Sequence, residues 1–187
     1  MTENSTLNRQ QMYILVTKAA RSDERALEEL IDLFDKRLLH FVRRMIPDPN
    51  LAYDIVQESW VCVYRTLPRL REPHAFPSWL FQIARGKIAL HYRSYGLRHE
   101  VALDAEVLDA IDDEERLSAE QAADVHRALS KLSLAHREIL LLRFMEDFSM
   151  EEIASTLDIA VGSAKSRLHF AKRALREILE RQERDIP

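Results

Sequence analysis

Asp147-Phe148-Ser149-Met150-Glu151-Glu152-Ile153-Ala154 and, a few residues on, Gly162-Ser163-Ala164-Lys165-Ser166-Arg167-Leu168 decide the reading of the C-terminal part of this chain. Ser149 and Glu152 form an S-x-x-E capping box, which predicts a helix beginning after Ser149. Ile153, Ala154 and Leu157 give that helix one apolar face, Asp158 breaks the run, and Ile159 and Val161 are spaced to pack a turn. A second helix is predicted from about Gly162 to Leu179, with Ala164, Leu168, Ala171, Leu175 and Ile178 on its buried side. Two helices joined so tightly form a helix-turn-helix, whose second helix can enter a DNA major groove.

Charge supports the same reading. Between Gly162 and Arg176 stand Lys165, Arg167, Lys172, Arg173 and Arg176 and no acid, a local charge of +5 in a chain whose net charge is −4. Such a concentration suits phosphate. A solvated cationic helix, or basic residues placed to suit a helix dipole, would look similar in charge alone.

At 187 residues, 47% hydrophobic and 31% charged, the chain is long enough for one or two small domains with a real core. Only three glycines and six prolines interrupt an apolar spacing that is helical almost throughout, so an all-α fold is expected. The polar N-terminus and the absence of a long apolar run argue against secretion or a membrane span. Cys62 is the single cysteine, which excludes an internal disulfide and fits a reducing cytoplasm; its apolar setting suggests a buried small hydrophobe.

Working towards the N-terminus, residues 94–117 carry eight acids against Arg98 and Arg116, a net −6. This composition reads as a flexible acidic linker, closed by a second capping box at Ser118-Ala119-Glu120-Gln121. The layout is therefore a helical domain over 1–93, the linker over 94–117 and a helix-turn-helix domain over 118–187. In the first domain a helix is predicted over Gln10–Ala20. A second carries Leu27, Leu30, Ile31, Phe34, Leu38, Phe41, Val42 and Met45 on one face. After the turn Pro47-Asp48-Pro49-Asn50, a third helix spans about Leu51–Leu67 and buries Ile55, Val56, Val63 and Tyr64. A fourth runs from about Ser78 to Arg93. That fourth helix holds Arg85, Lys87 and Arg93 with no acid from Trp79 onward. Phe76, Trp79, Phe81 and Tyr92 interleave with this charge, a composition suited to unpaired bases and their phosphates.

Four strings, in order and spacing, resemble the extracytoplasmic-function (ECF) sigma factors of bacterial RNA polymerase, within the sigma-70 family. Asp54-Ile55-Val56-Gln57-Glu58-Ser59-Trp60 is similar to the region 2 helix that grips the polymerase clamp, and Phe76-Pro77-Ser78-Trp79-Leu80-Phe81-Gln82-Ile83-Ala84-Arg85 to the segment that melts and reads the −10 element. Arg137–Phe144 with Ser149–Ala154 resembles region 4, and Gly162–His169 its string G-T-V-K-S-R-L-x-R-A-R. The resemblance implies core-polymerase binding by Asp54, Gln57, Glu58 and Trp60. It implies −10 contacts by Ser78, Trp79, Arg85, Lys87, His91 and Arg93, and −35 contacts by Ser163, Lys165, Ser166, Arg167, His169 and Arg173. The chain departs from the family at Gly86, where asparagine is common, and at Leu90, where aspartate is. Ser163-Ala164 stands for Thr-Val, and Ala160 for proline.

Implied partners are core RNA polymerase through its β′ clamp and β flap, promoter DNA and a cognate anti-sigma factor, in the cytoplasm, with no small-molecule substrate. The seven histidines are scattered without zinc-ligand spacing, and the paired carboxylates lie mostly in the linker, where nothing would desolvate them, so no metal, cofactor or catalytic residue is expected. Two other functions fit parts of the pattern. A free-standing helix-turn-helix regulator would account for residues 118–187, and a sigma-like mimic that sequesters regulators would tolerate the changes at Gly86 and Leu90.

Overall fold

The computed structural model describes residues 8–94, 125 and 127–184, and every regular element among them is helical. The chain divides into two compact units, Met1–Ala89 and Leu90–Pro187. The acidic stretch from residue 95 and the capping box at Ser118–Gln121 lie outside the described residues.

In the first unit α1 (Arg9–Ala20), α2 (Glu24–Met45) and α3 (Pro49–Thr66) are followed by two single 3-10 turns, Leu67–Arg69 and Pro73–Ala75, and then by α4 (Phe76–Ser94), whose residues from Leu90 onward fall past the division. Each start has a chemical cause. Asn8 and Gln11 make a reciprocal cap on α1, and the Asp23 carboxylate accepts from the Ala26 N–H. Asp48 accepts from Asn50 and Leu51, with Pro49 in the first helical position, where a missing N–H costs nothing. The α2 stripe behaves as its spacing requires, with Leu30, Phe34, Leu38, Phe41, Val42 and Met45 buried. Edge-to-face rings link α2 to α4, Phe34 to Phe76 at 5.5 Å and Phe41 to Phe81 at 5.2 Å. Such pairs add about 0.5–1.5 kcal/mol each beyond burial.

The third helix buries Ile55, Val56 and Val63 as expected, together with Ala52, Ser59 and Trp60. Tyr64 does not join them. It is 67% exposed, because a helix burying residues 52, 55–56, 59–60 and 63 turns position 64 off the core. Cys62 is half-buried rather than enclosed.

In the second unit, residues 127–130 are helical and lead to α5 (Leu134–Phe144), α6 (Met150–Leu157) and α7 (Val161–Arg184). The Ser149–Glu152 capping box forms as its sequence predicts, with Ser149 Oγ accepting from the Glu152 N–H at 3.2 Å and Glu152 Oε2 from the Ser149 N–H at 2.8 Å. Asp158 ends α6 in the left-handed region, at φ 53°, and the Ile159 N–H reaches back to the Ala154 carbonyl at 3.0 Å. Ala160 then opens α7 through its backbone carbonyl, which accepts from the Ala164 N–H. α7 packs on both α5 and α6, burying Ala164 and Ala171 fully and Leu168, Leu175 and Ile178 in part.

The interior of this unit holds a charge. Arg137, 1% exposed, donates from Nε to the Leu129 carbonyl at 2.9 Å and from Nη2 to the carbonyls of Ser130 at 2.6 Å and Leu132 at 3.2 Å. One guanidinium thus closes the end of the helical turn at 127–130 and fastens it to α5. Burial lowers its pKa from the ordinary arginine value. Arg137→Met keeps the bulk but leaves these carbonyls without their donor. It should destabilise the unit by about 3 kcal/mol or more. Native-state hydrogen exchange should show faster exchange in α5–α7 with the amides of α2 and α3 unchanged; unaltered protection in α5–α7 would show that the clip is dispensable.

Candidate nucleic-acid interface

The recognition-type helix α7 sorts its residues by angle, at about 100° per residue. With Ala164 and Ala171 inward, Ser163, Ser166, Phe170 and Arg173 form a ladder on the outer side at spacings of three and four. Lys165, His169, Lys172 and Arg176 form a second, basic stripe beside it, all exposed. Arg167 is half-buried at the margin of the ladder. Ser163, Ser166 and Arg173 therefore fall on one stripe and Lys165 and His169 on the other. Arg173 donates from Nε to Glu177 Oε1 at 2.9 Å, an exposed i,i+4 pair that an incoming phosphate or base could displace. The rings of His169 and Phe170 meet edge-to-face at 5.5 Å.

On α4 the six residues expected at the −10 element separate. Ser78 is buried and donates from Oγ to the Ala75 carbonyl at 2.9 Å, so its hydroxyl shapes the helix start. Trp79 is half-exposed, 6.1 Å from the Phe76 ring. It shares the outer face with Gly86, Leu90 and Arg93, which lie 7, 11 and 14 residues further on. Arg85 and Lys87 flank that face on opposite sides, and His91 sits half-buried beyond Lys87 with its ring against Tyr92. The aromatic reading of this helix needs correction. Phe76, Phe81 and Tyr92 are core residues, buried at 0%, 0% and 4% exposure, and burial raises the Tyr92 phenol pKa above its ordinary value. Of the four aromatics, Trp79 alone keeps a solvent-facing surface.

The α3 residues divide in a similar way. Asp54, Gln57 and Glu58 are exposed on one stripe, whereas Trp60 is buried and its indole N–H donates to Asp35 Oδ1 of α2 at 2.9 Å. Three apolar residues that the sequence reading did not assign to a surface lie among the polar ones: Tyr53, Val61 and Tyr64, at 49%, 48% and 67% exposure. With Gln57 they recur at 53, 57, 61 and 64, one side of the helix. Glu58 Oε2 also accepts from Lys87 Nζ at 2.9 Å, joining the acidic stripe of α3 to the basic flank of α4. Among the described residues no group of three or more His, Cys, Asp or Glu side chains could hold a metal, and no helix is long and apolar enough to cross a membrane.

The family departures on α4 both face outward. A Cβ built on Gly86 meets nothing within 4 Å, and Leu90 is 58% exposed. Gly86→Ala should therefore stabilise the first unit by about 0.5–1 kcal/mol, the ordinary cost of a helix-interior glycine. Chemical denaturation followed by tryptophan fluorescence reads this unit, since Trp60 and Trp79 both lie in it. A loss of stability would mean that position 86 meets a neighbour after all.

Two segments match models of the sigma-70 family, region 2 over residues 30–98 and region 4 over residues 122–175. The RNA polymerase sigma-H factor of Pseudomonas aeruginosa is 31% identical over 186 residues, an alignment that covers 93% of this chain and 96% of that protein. The ECF RNA polymerase sigma-E factor of Salmonella typhimurium is 30% identical over 174 residues, covering 87% and 91%. Among solved structures, CnrH in complex with the cytosolic domain of CnrY has a TM-score of 0.68 at 24% identity, covering 90% of this chain and 96% of that one. RpoE in complex with the anti-sigma factor NepR from Bartonella quintana has a TM-score of 0.64 at 23% identity, covering 82% and 96%. At those identities the structural likeness speaks for the fold.

Proposed function

Because the chain belongs to the extracytoplasmic-function sigma factors of the sigma-70 family, and so binds core RNA polymerase and directs promoter recognition, we propose which surfaces carry each task. The chain itself catalyses nothing; it lends specificity and strand opening to the polymerase, in the cytoplasm. Residues 1–93 bind the core enzyme and the −10 element, 94–117 tether the two domains, and 118–187 read the −35 element.

The observation that carries the reading is the outer side of α3. Asp54, Gln57 and Glu58 supply charge and hydrogen bonds, while Tyr53, Val61 and Tyr64 offer exposed apolar area. Two tyrosines within a polar stripe suit a protein interface, where aromatic anchors carry most of the energy and charge sets register. Trp60 acts from beneath, fixing the helix through Asp35. On α4, Trp79 serves as a stacking platform with Arg85, Lys87, His91 and Arg93 around it for phosphates, and Ser78 positions the helix start. On α7, Lys165 and His169 belong to the phosphate-facing stripe, and Ser163, Ser166, Arg167 and Arg173 to the base-facing side. An anti-sigma protein is the expected regulator, as in the complex of RpoE with the anti-sigma factor NepR.

Binding of labelled chain to core polymerase tests the first assignment. Tyr64→Ala should weaken it about tenfold or more without changing thermal stability, the range for an aromatic anchor. Wild-type affinity in a folded Tyr53→Ala, Tyr64→Ala double variant would move the interface off α3. On promoter duplex, Lys165→Ala should weaken holoenzyme binding across sequences and lower the salt slope by about one, whereas Arg167→Ala should change base preference near −35. Identical slopes and preferences in both variants would remove α7 from the DNA.

A further inference from the structure

Phe170 is 54% exposed in the middle of the outer ladder of α7, three residues from Arg167 and three from Arg173. More than half of this large apolar residue stands in water, and what distinguishes it from an ordinary exposed side chain is its place in the middle of a polar and basic ladder. The helix buries its alanines and half-buries its leucines, and Phe170 lies well off that seam. Its ring meets that of the adjacent His169, itself exposed, edge-to-face.

What surrounds the ring points to its occupant. Ser166 and Arg173 stand above and below it on the ladder, and the parallel stripe of Lys165, His169, Lys172 and Arg176 is basic. An acidic or apolar protein surface would leave the serines of the ladder unused, whereas a DNA major groove uses all three chemistries. Phosphates take the basic stripe, base edges take the hydroxyls and the guanidinium, and the 5-methyl group of thymine is the groove's one apolar feature. We propose that Phe170 is a specificity-determining residue of the −35 reader, packing its ring against a thymine methyl. The inference rests on the assignment of α7 to the major groove and adds to it an apolar contact that reads the methyl group itself.

The test uses the holoenzyme and duplexes carrying a randomised −35 segment. Wild type should select a thymine at one position, and Phe170→Ala should lose that preference alone. Alanine is a better helix former, so the variant keeps α7 intact. The selected duplex is then remade with deoxyuridine, which lacks only the methyl group, at that thymine. Wild type should bind it about fourfold more weakly, the value of one buried methyl-sized group, while Phe170→Ala should bind both duplexes alike. If wild type selects a −35 sequence but is indifferent to the methyl group, the role of Phe170 is overturned and the groove assignment stands. If wild type selects no −35 sequence at all, the groove assignment itself fails. Loss of core-polymerase affinity in Phe170→Ala with an unchanged selected sequence would instead make the ring a protein contact.

Discussion

Arg137 carries its charge into the interior of the second unit, and the geometry of the outward face of α7 depends on how that charge is satisfied. A guanidinium removed from water costs several kcal/mol unless its donors are used, and here three carbonyls at 129, 130 and 132 use them. The arrangement leaves little freedom: the turn before α5 and the first half of α5 are held in one register. α5 is in turn a floor for α7, with α6 set beside it by the Ser149–Glu152 cap and the left-handed Asp158. The outward face of α7 is thus defined by contacts made on its opposite side.

The first unit solves a different problem. Its α2 core is an uninterrupted apolar stripe, and the aromatic pairs between α2 and α4 leave little doubt about which face of α4 points out. The result is two adjacent outward faces on α3 and α4, connected by the Glu58–Lys87 pair. That pair is exposed, so its own contribution to stability is small. Each surface by itself is modest. Carried on one chain, the contacts proposed for these faces and for α7 would reinforce one another through effective concentration, so that individually weak readers act together.

Much of this was legible in the residues. The period of α2, the cap at Ser149, the break at Asp158 and the charge of α7 are local properties, and local chemistry determined them. Failures occurred where the deciding contact is distant. Tyr64 follows Val63 in an apolar run, and only the register of α3 against α2 tells the buried residue from the exposed one. Trp60 reads as a surface anchor until Asp35, twenty-five positions away in sequence, is found to accept its indole hydrogen. Phe76, Phe81 and Tyr92 have the composition of base-stacking residues but pack inward, leaving Trp79 at the surface. Arg137 looks like any helix arginine, since nothing in the sequence shows that three carbonyls converge on it. Phe170 was passed over for a similar reason: its exposure follows from where Ala164 and Ala171 lie, not from its neighbours.

The central claim is that one chain supplies core polymerase with both promoter-reading ends. Run-off transcription from fragments of the source genome, with purified core polymerase and this chain as the only added specificity factor, tests it directly. Discrete transcripts that depend on the chain and disappear when it is omitted are the expected result. Stable binding of neither core polymerase nor any promoter fragment, with transcription no different from core alone, would contradict it.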